Sequence, residues 1–329
     1  MVRKQAYLIH TKDQKIKIQI KKGIAMLLIL TASFDGTGDL LLSRLGNQAF
    51  RLNFDLFNEY HLELSSSGWS ITNPAGQNIN SETVTGIFWW KVTSYRAHAD
   101  EFINEEIKYI FRELYCWGID RCLAKGVPPD FHNRHGKISI LAIAKSYFDT
   151  PETLVTWGFK SLPYTKTMVA KSLSSSFTSD NQVLFTSPVN PKQLDPKYPW
   201  YLQDKIDATY DVTTFICGKQ LFGFKRDRSS LKGLDWRQEQ DFSGQGEEWF
   251  QRIHTEQETS AILDFCAALE IDWGRIDFLE KANGELVFLE YNANGQWVFL
   301  DYLNKYGLVD TVVEYLTNKK SGERLSTIN

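Results

Sequence analysis

Two polar side chains interrupt an apolar run near the C-terminal end of the chain. Residues 288–297 read FLEYNANGQW, which places Glu290 and Asn292 two positions apart. Because side chains alternate between the two faces of a strand, this spacing puts both on one face if the stretch is a strand. Carboxylate and amide oxygens are hard ligands that suit Mg²⁺. The two residues are therefore candidate metal ligands.

An upstream turn signal brings a second carboxylate to the same face. Asn283-Gly284 separates two strand-like stretches, residues 273–280 and 285–292. Asn-Gly is a strong hairpin signal, because both residues tolerate the positive φ of a type I′ turn. A two-residue loop at this point would place Asp277 directly opposite Glu290.

The same register would place Arg275 opposite Asn292. Opposed carboxylates repel each other, and in a half-buried site they cannot both stay ionised without compensation. A bound Mg²⁺, with its shell completed by phosphate oxygens and water, would provide that compensation. The alternative is a solvated face on which Arg275 neutralises the two acids.

A phosphate partner requires basic residues, and the sequence offers three candidates. Neither GxxxxGK[ST] nor GxGxxG occurs, which excludes a P-loop and the Rossmann fingerprint. Lys171 ends a short apolar strand and precedes Ser172 and other small residues, whose backbone N–H groups could approach phosphates. On spacing alone, a surface loop after a strand explains this segment better than a phosphate-binding loop does. Lys137, at a helix start, and Arg226, near a strand end, are otherwise ordinary solvated residues.

The composition indicates a large soluble protein without a polyanionic partner. The 329 residues are 43% hydrophobic, which is enough for a core divided between two or three lobes. The net charge of −3, from 37 basic and 40 acidic residues, gives no reason to expect nucleic acid or an anionic membrane. The four cysteines lack CxxC spacing and lie in apolar runs, so we expect buried, reduced thiols in a cytoplasmic protein.

The first 25 residues differ from the remainder of the chain. They contain seven Lys or Arg and one acid, and KIKIQIKK alternates like an edge strand. The continuous apolar segment of a signal peptide is missing, and no 18-residue apolar run occurs in the chain. We interpret this extension as an ordered strand, a basic arm, or an upstream stretch from a mis-set start.

Periodicity predicts an α/β protein whose second half is rich in strands. The expected helices are residues 39–45, 99–123, 137–148, 260–269 and 302–318, with a loop at 126–135. The expected strands are residues 26–33, 49–54, 61–65, 69–72, 84–91, 166–171, 183–186, 201–205, 212–217, 219–225, 273–280 and 285–292.

The order of these features resembles that of the ATP-grasp ligases. Lys137, Lys171 with its small-residue loop, the strand YLQDKI, Asp277 and then Glu290-x-Asn292 follow one another as in that family. More narrowly, the chain is similar to the microviridin-type peptide macrocyclases, the graspetide synthetases. The similar stretches, spread over residues 26–318, are MLLILTASFD, VLFTSPVNPKQLD, YDVTTFICGKQLF, GLDWRQEQ and FLEYNANGQW.

The resemblance implies an α/β (α+β) ATP-grasp fold with three lobes after the extension at residues 1–25. An N-terminal pre-ATP-grasp domain would span residues 26–124. A central subdomain would span residues 125–208, and a C-terminal antiparallel-sheet subdomain residues 209–329. ATP would bind between the last two.

The resemblance also implies residues for ATP and Mg²⁺. The nucleotide contacts that it implies are Lys137, Lys171 and Ser172 for the phosphates, Gln203, Asp204 and Ile206 for adenine, and Asp211 for the ribose. The Mg²⁺ ligands that it implies are Asp277, Glu290 and Asn292. The catalytic residues that it implies are Asp235 and Arg237 of the Asp-Trp-Arg motif, with Arg226 or Arg228 as a further positive charge. Arg237 would face the γ-phosphate or the substrate carboxylate.

The chain departs from the family pattern at three places, one of which is the stretch between Pro151 and Lys171, which is shorter than usual. Thr213 stands where many relatives have arginine, and WKVT at residues 90–93 stands where microviridin enzymes have Trp-Tyr-Arg-Arg. These differences leave the ATP site intact and bear on the class of peptide.

The implied activity is ATP-dependent cyclisation of a ribosomally made precursor peptide with a leader and a core. An Asp or Glu side chain becomes an acylphosphate, and Ser, Thr or Lys closes an ω-ester or ω-amide ring. One alternative is a ligase for amino acids or for a protein C-terminus, similar to glutathione synthetase or the ribosomal-protein glutamate ligases. Another is a nucleotide-binding module without catalysis. The helix at residues 99–123 is the expected leader surface, and a homodimer is expected because dimers are common among the relatives.

Overall fold

The computed structural model of the chain describes residues 24–92, 96–127, 130–160, 162, 167–174, 185–229, 231, 233–235 and 248–318. Three larger sheets follow one another along these residues, and a small three-stranded sheet is inserted in the first part of the chain.

The first sheet is parallel, with the strand order β2-β1-β6-β7. The elements of this region are β1 (Met26–Thr31), α1 (Gly36–Leu45), β2 (Ala49–Asn53), β3 (His61–Ser65), β4 (Gly68–Thr72), β5 (Asn78–Asn80), β6 (Val84–Trp89), α2 (Glu101–Ile119) and β7 (Ala124–Lys125). Strand β1 is buried along its whole length because it lies inside the sheet with cores on both faces. Strands β3, β4 and β5 form the antiparallel insertion.

The second sheet is antiparallel, in the order β10-β9-β11-β8. The elements of this region are α3 (Phe131–Arg134), α4 (Lys137–Ala144), β8 (Thr153–Thr156), β9 (Met168–Lys171), β10 (Ser187–Val189) and β11 (Trp200–Asp204). Helix α4 packs against the third sheet rather than this one: its Ile140 and Leu141 belong to the same core as Phe288. Its first residue, Lys137, is thereby held beside that sheet.

The third sheet is also antiparallel, in the order β14-β13-β12-β15-β16. Its region contains β12 (Tyr210–Cys217), β13 (Gln220–Asp227), β14 (Phe250–Arg252), α5 (Glu256–Ala268), β15 (Trp273–Glu280), β16 (Leu286–Asn292) and α6 (Leu308–Thr317). One hydrophobic core joins the first and third sheets, since Leu27 and Phe88 lie in the same cluster as Trp273. A second core lies on the other face of the parallel sheet, under α2.

The predicted strands are confirmed for the first and third sheets, within two residues at most ends. The strand predicted at 166–171 falls partly outside the described residues, and the described strand there is β9. The strand predicted at 183–186 also falls partly outside them; its described residues, 185 and 186, are not in a strand, and β10 begins at Ser187. Five short strands were not predicted: β5, β7, β8, β10 and β14. Each has two to four residues, too few for alternation to stand out from the surrounding loop.

The predicted helix at 302–318 is wrong in its first six residues. Asp301 accepts hydrogen bonds from the backbone N–H groups of Tyr306 and Leu308, at 3.0 Å for its nearer oxygen in each case. This arrangement folds residues 302–307 into turns, and Gly307, with φ of +75°, precedes α6. Helix α1 instead begins earlier than predicted, at Gly36, because Asp35 caps it through the N–H of Gly38.

Two further predictions need correction. The predicted loop at 126–135 contains the short helix α3. All four cysteines are free, as predicted, but only Cys217 and Cys266 are buried; Cys122 is exposed and Cys116 half-buried, because both lie near the surface end of α2. None of the helices in the described ranges combines the length and apolar character needed to cross a bilayer.

Candidate functional site

The hairpin of β15 and β16 pairs the two predicted carboxylates. Asp277 lies opposite Glu290, and Arg275 lies opposite Asn292, so both predicted pairs are confirmed. The Asn292 amide nitrogen donates to Asp277 Oδ2 at 2.7 Å and to Glu290 Oε1 at 3.2 Å. Arg275 Nη2 donates to Asp277 Oδ2 at 3.1 Å. The four side chains therefore converge on one face of the sheet.

The turn that joins these strands differs from the prediction. Lys281 N–H donates to Glu285 O at 2.9 Å, and Gly284 N–H donates to Lys281 O at 2.9 Å, which closes a loop of three residues, 282–284. Gly284 has φ of +87°, whereas Asn283 has no positive φ. The loop is thus a three-residue turn completed by glycine, and the predicted two-residue type I′ turn is wrong.

A β-bulge restores the register that the longer turn displaces. Phe278 pairs with Phe288, whereas Asp277 pairs with Glu290, so Leu289 is an extra residue on β16. The three-residue turn shifts every pair by one position, and the bulge shifts the pairs beyond it back. The two offsets cancel at Asp277 and Glu290.

Two lysines from separate elements complete the centre of the site. Lys171 ends β9, and Lys137 begins α4 and donates from Nζ to Ser172 O at 2.9 Å. Burial by itself raises the pKa of Glu290. The charges of Lys171 and Lys137, the hydrogen bond from the Asn292 amide and the charge of Arg275 together lower it by more, so the pKa is below its usual value. Glu290 is therefore ionised at neutral pH beside two cations.

These groups line one cleft between the second and third sheets. Its volume is about 1100 Å³, counting the solvent at its mouth. The predicted residues that line it are Lys137, Lys171, Ser172, Gln203, Asp204, Ile206, Asp211, Asp235, Asp277 and Glu290. Asn292 joins them through its bonds to Asp277 and Glu290. Their roles toward a nucleotide stay predictions, but the fold brings them to one place.

No protein-family model matches the chain, and no curated protein sequence does. Several solved structures, by contrast, match the chain in fold. The chain is similar to a Chryseobacterium gregarium RiPP-associated ATP-grasp ligase in complex with ADP and a leader and core peptide. That match has a TM-score of 0.73 and 20% identity, over 89% of this chain and 96% of the other. The chain is also similar to the macrocyclase MdnC of Microcystis aeruginosa MRC bound with precursor peptide MdnA, with a TM-score of 0.70 and 22% identity over 89% and 99% of the two chains.

The same architecture occurs in an enzyme of different chemistry. The D-cycloserine synthetase DcsG matches with a TM-score of 0.52 and 11% identity, over 89% of this chain and 99% of that one. The fold is that of the ATP-grasp ligases. Identities at this level establish the architecture, and the chemistry has to be argued from the site.

In this ATP-grasp fold, Asp211 lies at the far end of the cleft from Arg275. Arg228 Nη1 donates to Asp211 Oδ1, and Arg228 Nη2 donates to Leu234 O at 3.0 Å. The other oxygen, Oδ2, is buried and accepts no hydrogen bond from the described residues. Burial raises the pKa of Asp211 to about 6, although Arg228 and Arg226 lower it and Asp277 raises it. A buried acceptor that faces a cleft fits the predicted contact with a ribose hydroxyl.

The predicted adenine edge is built by the end of β11. The Gln203 side chain donates to Thr153 Oγ1 at 3.1 Å and to Tyr201 OH at 3.2 Å, so it also ties β11 to β8. Strand β11 ends at Asp204. The backbone polar groups at residues 205 and 206 therefore lie beyond the sheet ladder, where an adenine edge could bind them.

The predicted catalytic residues occupy different surroundings. Asp235 is buried and accepts from Thr186 N–H at 3.0 Å. Arg226 is 4% exposed, stands opposite Asp211 on β13, and pairs with Glu248 at 2.6 Å. It is therefore placed to act on Asp211 by charge. Arg237 lies outside the described residues, so its predicted role is not tested.

Two residues beside the metal candidates, Thr213 and Arg275, were not predicted to hold Asp277 in place. Thr213, opposite Asp277 on β12, donates from Oγ1 to Asp277 Oδ1 at 2.7 Å. Arg275 binds the other oxygen of Asp277 and also donates from Nη1 to Gln296 O at 2.9 Å. Cross-strand register, extended from β15 to β12, is the signal that would have identified Thr213.

The residues present fit Mg²⁺ and a nucleotide. The carboxylates of Asp277 and Glu290 meet, and their oxygens are ligands for a hard cation. Asn292 donates its amide nitrogen to both acids, so its oxygen would become a ligand once a cation replaced these two hydrogen bonds. Among the described residues no cluster of three His, Cys, Asp or Glu forms a metal site, so the other ligands of the cation would have to be phosphate oxygens or water. Lys137 and Lys171 lie where such phosphates would need neutralising charge.

Proposed function

We propose that this ATP-grasp protein is a peptide macrocyclase that activates Asp or Glu side chains of a ribosomally made precursor peptide as acylphosphates. The observation that carries the proposal is the meeting of Asp277, Glu290 and Asn292 with Lys137 and Lys171 in one cleft. The peptide substrate is supported by the fold's similarity to ligases solved with leader, core or precursor peptides.

The reaction has two steps. A side-chain carboxylate oxygen attacks the γ-phosphorus of ATP, the bond from that phosphorus to the β-phosphate oxygen breaks, and ADP leaves. A Ser or Thr hydroxyl, or a Lys amine, then attacks the acyl carbon, and the carbon–oxygen bond to phosphate breaks. Phosphate leaves, and the proton that the nucleophile loses passes to the phosphate or to water. The products are an ω-ester or ω-amide ring, ADP and phosphate.

The protein contributes charge and position rather than covalent chemistry. Mg²⁺, held by Asp277, Glu290 and Asn292, would neutralise charge on the phosphate oxygens. Lys137 and Lys171 bind the phosphates beside it, and Thr213 and Arg275 hold Asp277 in its orientation. Because both reacting groups belong to one peptide, ring closure is intramolecular once the peptide is bound.

The finer features belong to the same proposal. Microviridin-type ring chemistry, Mg²⁺ as the metal and a homodimer follow from the family resemblance rather than from distances in the cleft. A cytoplasmic location is expected from the four cysteines, which lack CxxC spacing. No nucleic acid or membrane is expected to take part, given the balanced charge of the chain.

The test is an assay of the purified protein with short peptides encoded beside its gene that contain Ser, Thr or Lys and Asp or Glu. We expect Mg²⁺-dependent ADP release and a product lighter than the peptide by one water per ring. A product that gains a residue would identify an amino-acid or peptide ligase. ATP binding without ADP release for every such peptide would identify a non-catalytic nucleotide-binding protein.

Glu290→Gln is the matched loss-of-function variant in this assay. We expect ADP release to fall about 100-fold or more, because the substitution removes a charge that the metal needs. Glu285→Gln is the control, since Glu285 lies on the same hairpin but is exposed and pairs with Lys281. Equal activity of the two variants would contradict the metal assignment.

A further inference from the structure

Strand β3 forms a free edge of the small three-stranded sheet. The strand order is β3-β4-β5, so β3 pairs with β4 on one side only. The two-residue turn makes Ser65 and Gly68 a hydrogen-bonded pair, and such pairs alternate with non-bonded ones along an antiparallel ladder. Leu62 and Leu64 therefore direct their backbone N–H and C=O groups away from β4. No other described residue forms backbone hydrogen bonds with these groups.

The apolar face of this edge is only partly covered. Leu62 and Leu64 lie on the same face as Trp69 and Ile71, which are buried, and the Trp69 ring packs 5.6 Å from that of Trp117 on α2. Leu64 is nevertheless 39% exposed, and Leu62 is half-buried. The edge thus combines unpaired backbone groups with accessible apolar side chains, which is the surface to which a further strand adds.

An apolar groove begins beside the start of β3. Phe57, which precedes the strand, lines it together with Ile103, Ile107 and Ile110 of α2. Its volume is about 590 Å³, counting the solvent at its mouth. Phe57 and Leu62 both pack against the core that contains Ile107, so the groove continues the apolar face of β3 along α2.

The N-terminal extension carries the complementary pattern. Its residues 15–20 read KIKIQI, in which three isoleucines alternate with two lysines and a glutamine, so a strand of this sequence has one apolar and one basic face. The surface around β3 has the opposite charge: Glu59 precedes the strand, Glu63 lies on it, and Glu106 lines the groove. Within the described ranges these three acids form one ion pair, between Glu63 and His61 at 3.5 Å.

We propose that residues 15–20 of the same chain add to β3 as a fourth strand of the small sheet, with their isoleucines toward α2. Directly opposed residues on neighbouring strands share a face. Lys17 opposite Glu63 therefore places the isoleucines on either side of it beside Leu62 and Leu64, whichever direction the added strand runs. The inference is independent of the proposed function, because neither the cleft nor its metal candidates take part.

The extension is long enough to reach this edge. Met26, at the start of β1, contacts Gln77 just before β5, with 3.3 Å between Gln77 Nε2 and Met26 Sδ. Strand β3 lies two strand spacings from β5, which is about 10 Å. Seven residues separate Lys17 from Ile24, the first described residue, and an extended chain of that length spans up to about 25 Å. Several residues are therefore left for the turn across the small sheet.

Hydrogen exchange of the full-length protein, resolved to single backbone amides, tests the inference. We expect the N–H groups of Leu62 and Leu64 to exchange at least about 10-fold more slowly than an unbonded amide does. Ile18→Asn puts a polar amide on the apolar face and should remove this protection. Gln19→Asn is the matched control, because it puts the same amide on the basic face, and it should retain the protection. The N–H of Glu63, which bonds to β4, is the reference that should not change.

Coupling with a carbodiimide, which joins an amine to an adjacent carboxylate, identifies the strand that occupies the edge. In a mixture of ¹⁵N-labelled and unlabelled protein, Lys15 or Lys17 should couple to Glu63 within one isotopic form. Coupled peptides of mixed isotopic form would show that a second copy of the chain supplies the strand, which would overturn the inference.

Three exchange results would also overturn it. Rapid exchange at Leu62 and Leu64 in the wild type would show that the edge is open. Protection that persists in Ile18→Asn would show that another segment covers it. Protection that appears only when the peptide encoded beside the gene is added would assign the edge to that peptide. Each of these results is compatible with unchanged peptide-dependent ADP release, so failure of this inference leaves the proposed function in place.

Discussion

At the scale of single residues, the cleft holds its carboxylates in opposite electrostatic surroundings. Glu290 has two lysines nearby, which keep its pKa below the usual value despite burial. Asp211 has Arg228, but burial dominates and raises its pKa to about 6. Glu290 is thus suited to bind a cation, whereas Asp211 is suited to form hydrogen bonds either as an acid or as a carboxylate near neutral pH.

Because the pKa of Asp211 is raised, we expect the stability of the folded protein to depend on pH. With a folded-state pKa near 6 against an ordinary value of 3.8, the folded protein holds this proton more tightly than the unfolded chain does. The stability gained from the protonated form is therefore lost as pH rises through about 6. Asp211→Asn cannot ionise, so its free energy of unfolding should gain about 2 kcal/mol relative to the wild type between pH 4.5 and pH 7.5.

Urea denaturation of both proteins at the two pH values measures this gain. Asp227→Asn is the control, because Asp227 ends β13, the strand paired with the one that carries Asp211, but is exposed, and hydrogen bonds from Ser229 lower its pKa. The difference between Asp227→Asn and the wild type should not grow as pH rises. A difference for Asp211→Asn that is the same at both pH values would show that Asp211 ionises freely in the folded protein.

At the scale of elements, the β15–β16 hairpin depends on one glycine. Gly284 has φ of +87°, and an added Cβ would meet nothing within 4 Å, so only the backbone conformation opposes a side chain there. Gly284→Ala should lower the free energy of unfolding by about 1 kcal/mol. Gly36→Ala is a matched control, since a Cβ at Gly36 is equally unobstructed and its φ is not positive.

Gly36 is the first residue of α1, where alanine is favoured over glycine by up to about 1 kcal/mol. Gly36→Ala should therefore be neutral or stabilising in the same urea titration. If both variants lose stability equally, the loss comes from something other than the left-handed turn.

The same hairpin shows how far the sequence could predict the site. The pairing of Asp277 with Glu290 was predicted correctly, although the assumed turn was wrong, because the bulge at Leu289 compensates for the extra turn residue. Neither feature is visible in the alternation of side chains. The three-residue turn shifts the cross-strand pairs by one residue, and the one-residue bulge shifts them back, so the pairing near Asp277 is the same as without either. A prediction from one of them alone would have separated the two carboxylates.

Residues brought in by tertiary packing could not be predicted from spacing. Lys137 belongs to a helix whose apolar residues pack against β16, and that packing turns its ammonium toward Ser172 and the cleft. Trp90, just after β6, likewise donates to Asp35, which is 55 positions away in the chain. The buried strands, by contrast, were predictable because a continuous apolar run specifies burial locally.

At the scale of the whole molecule, a cluster of aromatic rings joins the parallel sheet to the antiparallel sheet that carries the site. Trp273, at the start of β15, has ring centroids 5.0 Å from Phe88 and 6.2 Å from Trp90 across this junction. On its own side it lies 5.0 Å from Phe215 and is stacked on Tyr315 at 5.4 Å. The junction is thus one continuous core rather than a contact between independent lobes.

Trp273→Ala should therefore destabilise both sheets together. The side chain is fully buried, so its loss should lower the free energy of unfolding by about 3 to 5 kcal/mol. Trp157→Ala is the matched control: Trp157 is 74% exposed, and its loss should cost no more than about 1 kcal/mol. In urea titrations followed by both fluorescence and far-UV circular dichroism, the two probes should coincide for Trp273→Ala, because neither sheet retains a complete core without the other. Two separate transitions in that variant would mean that the two sheets fold independently.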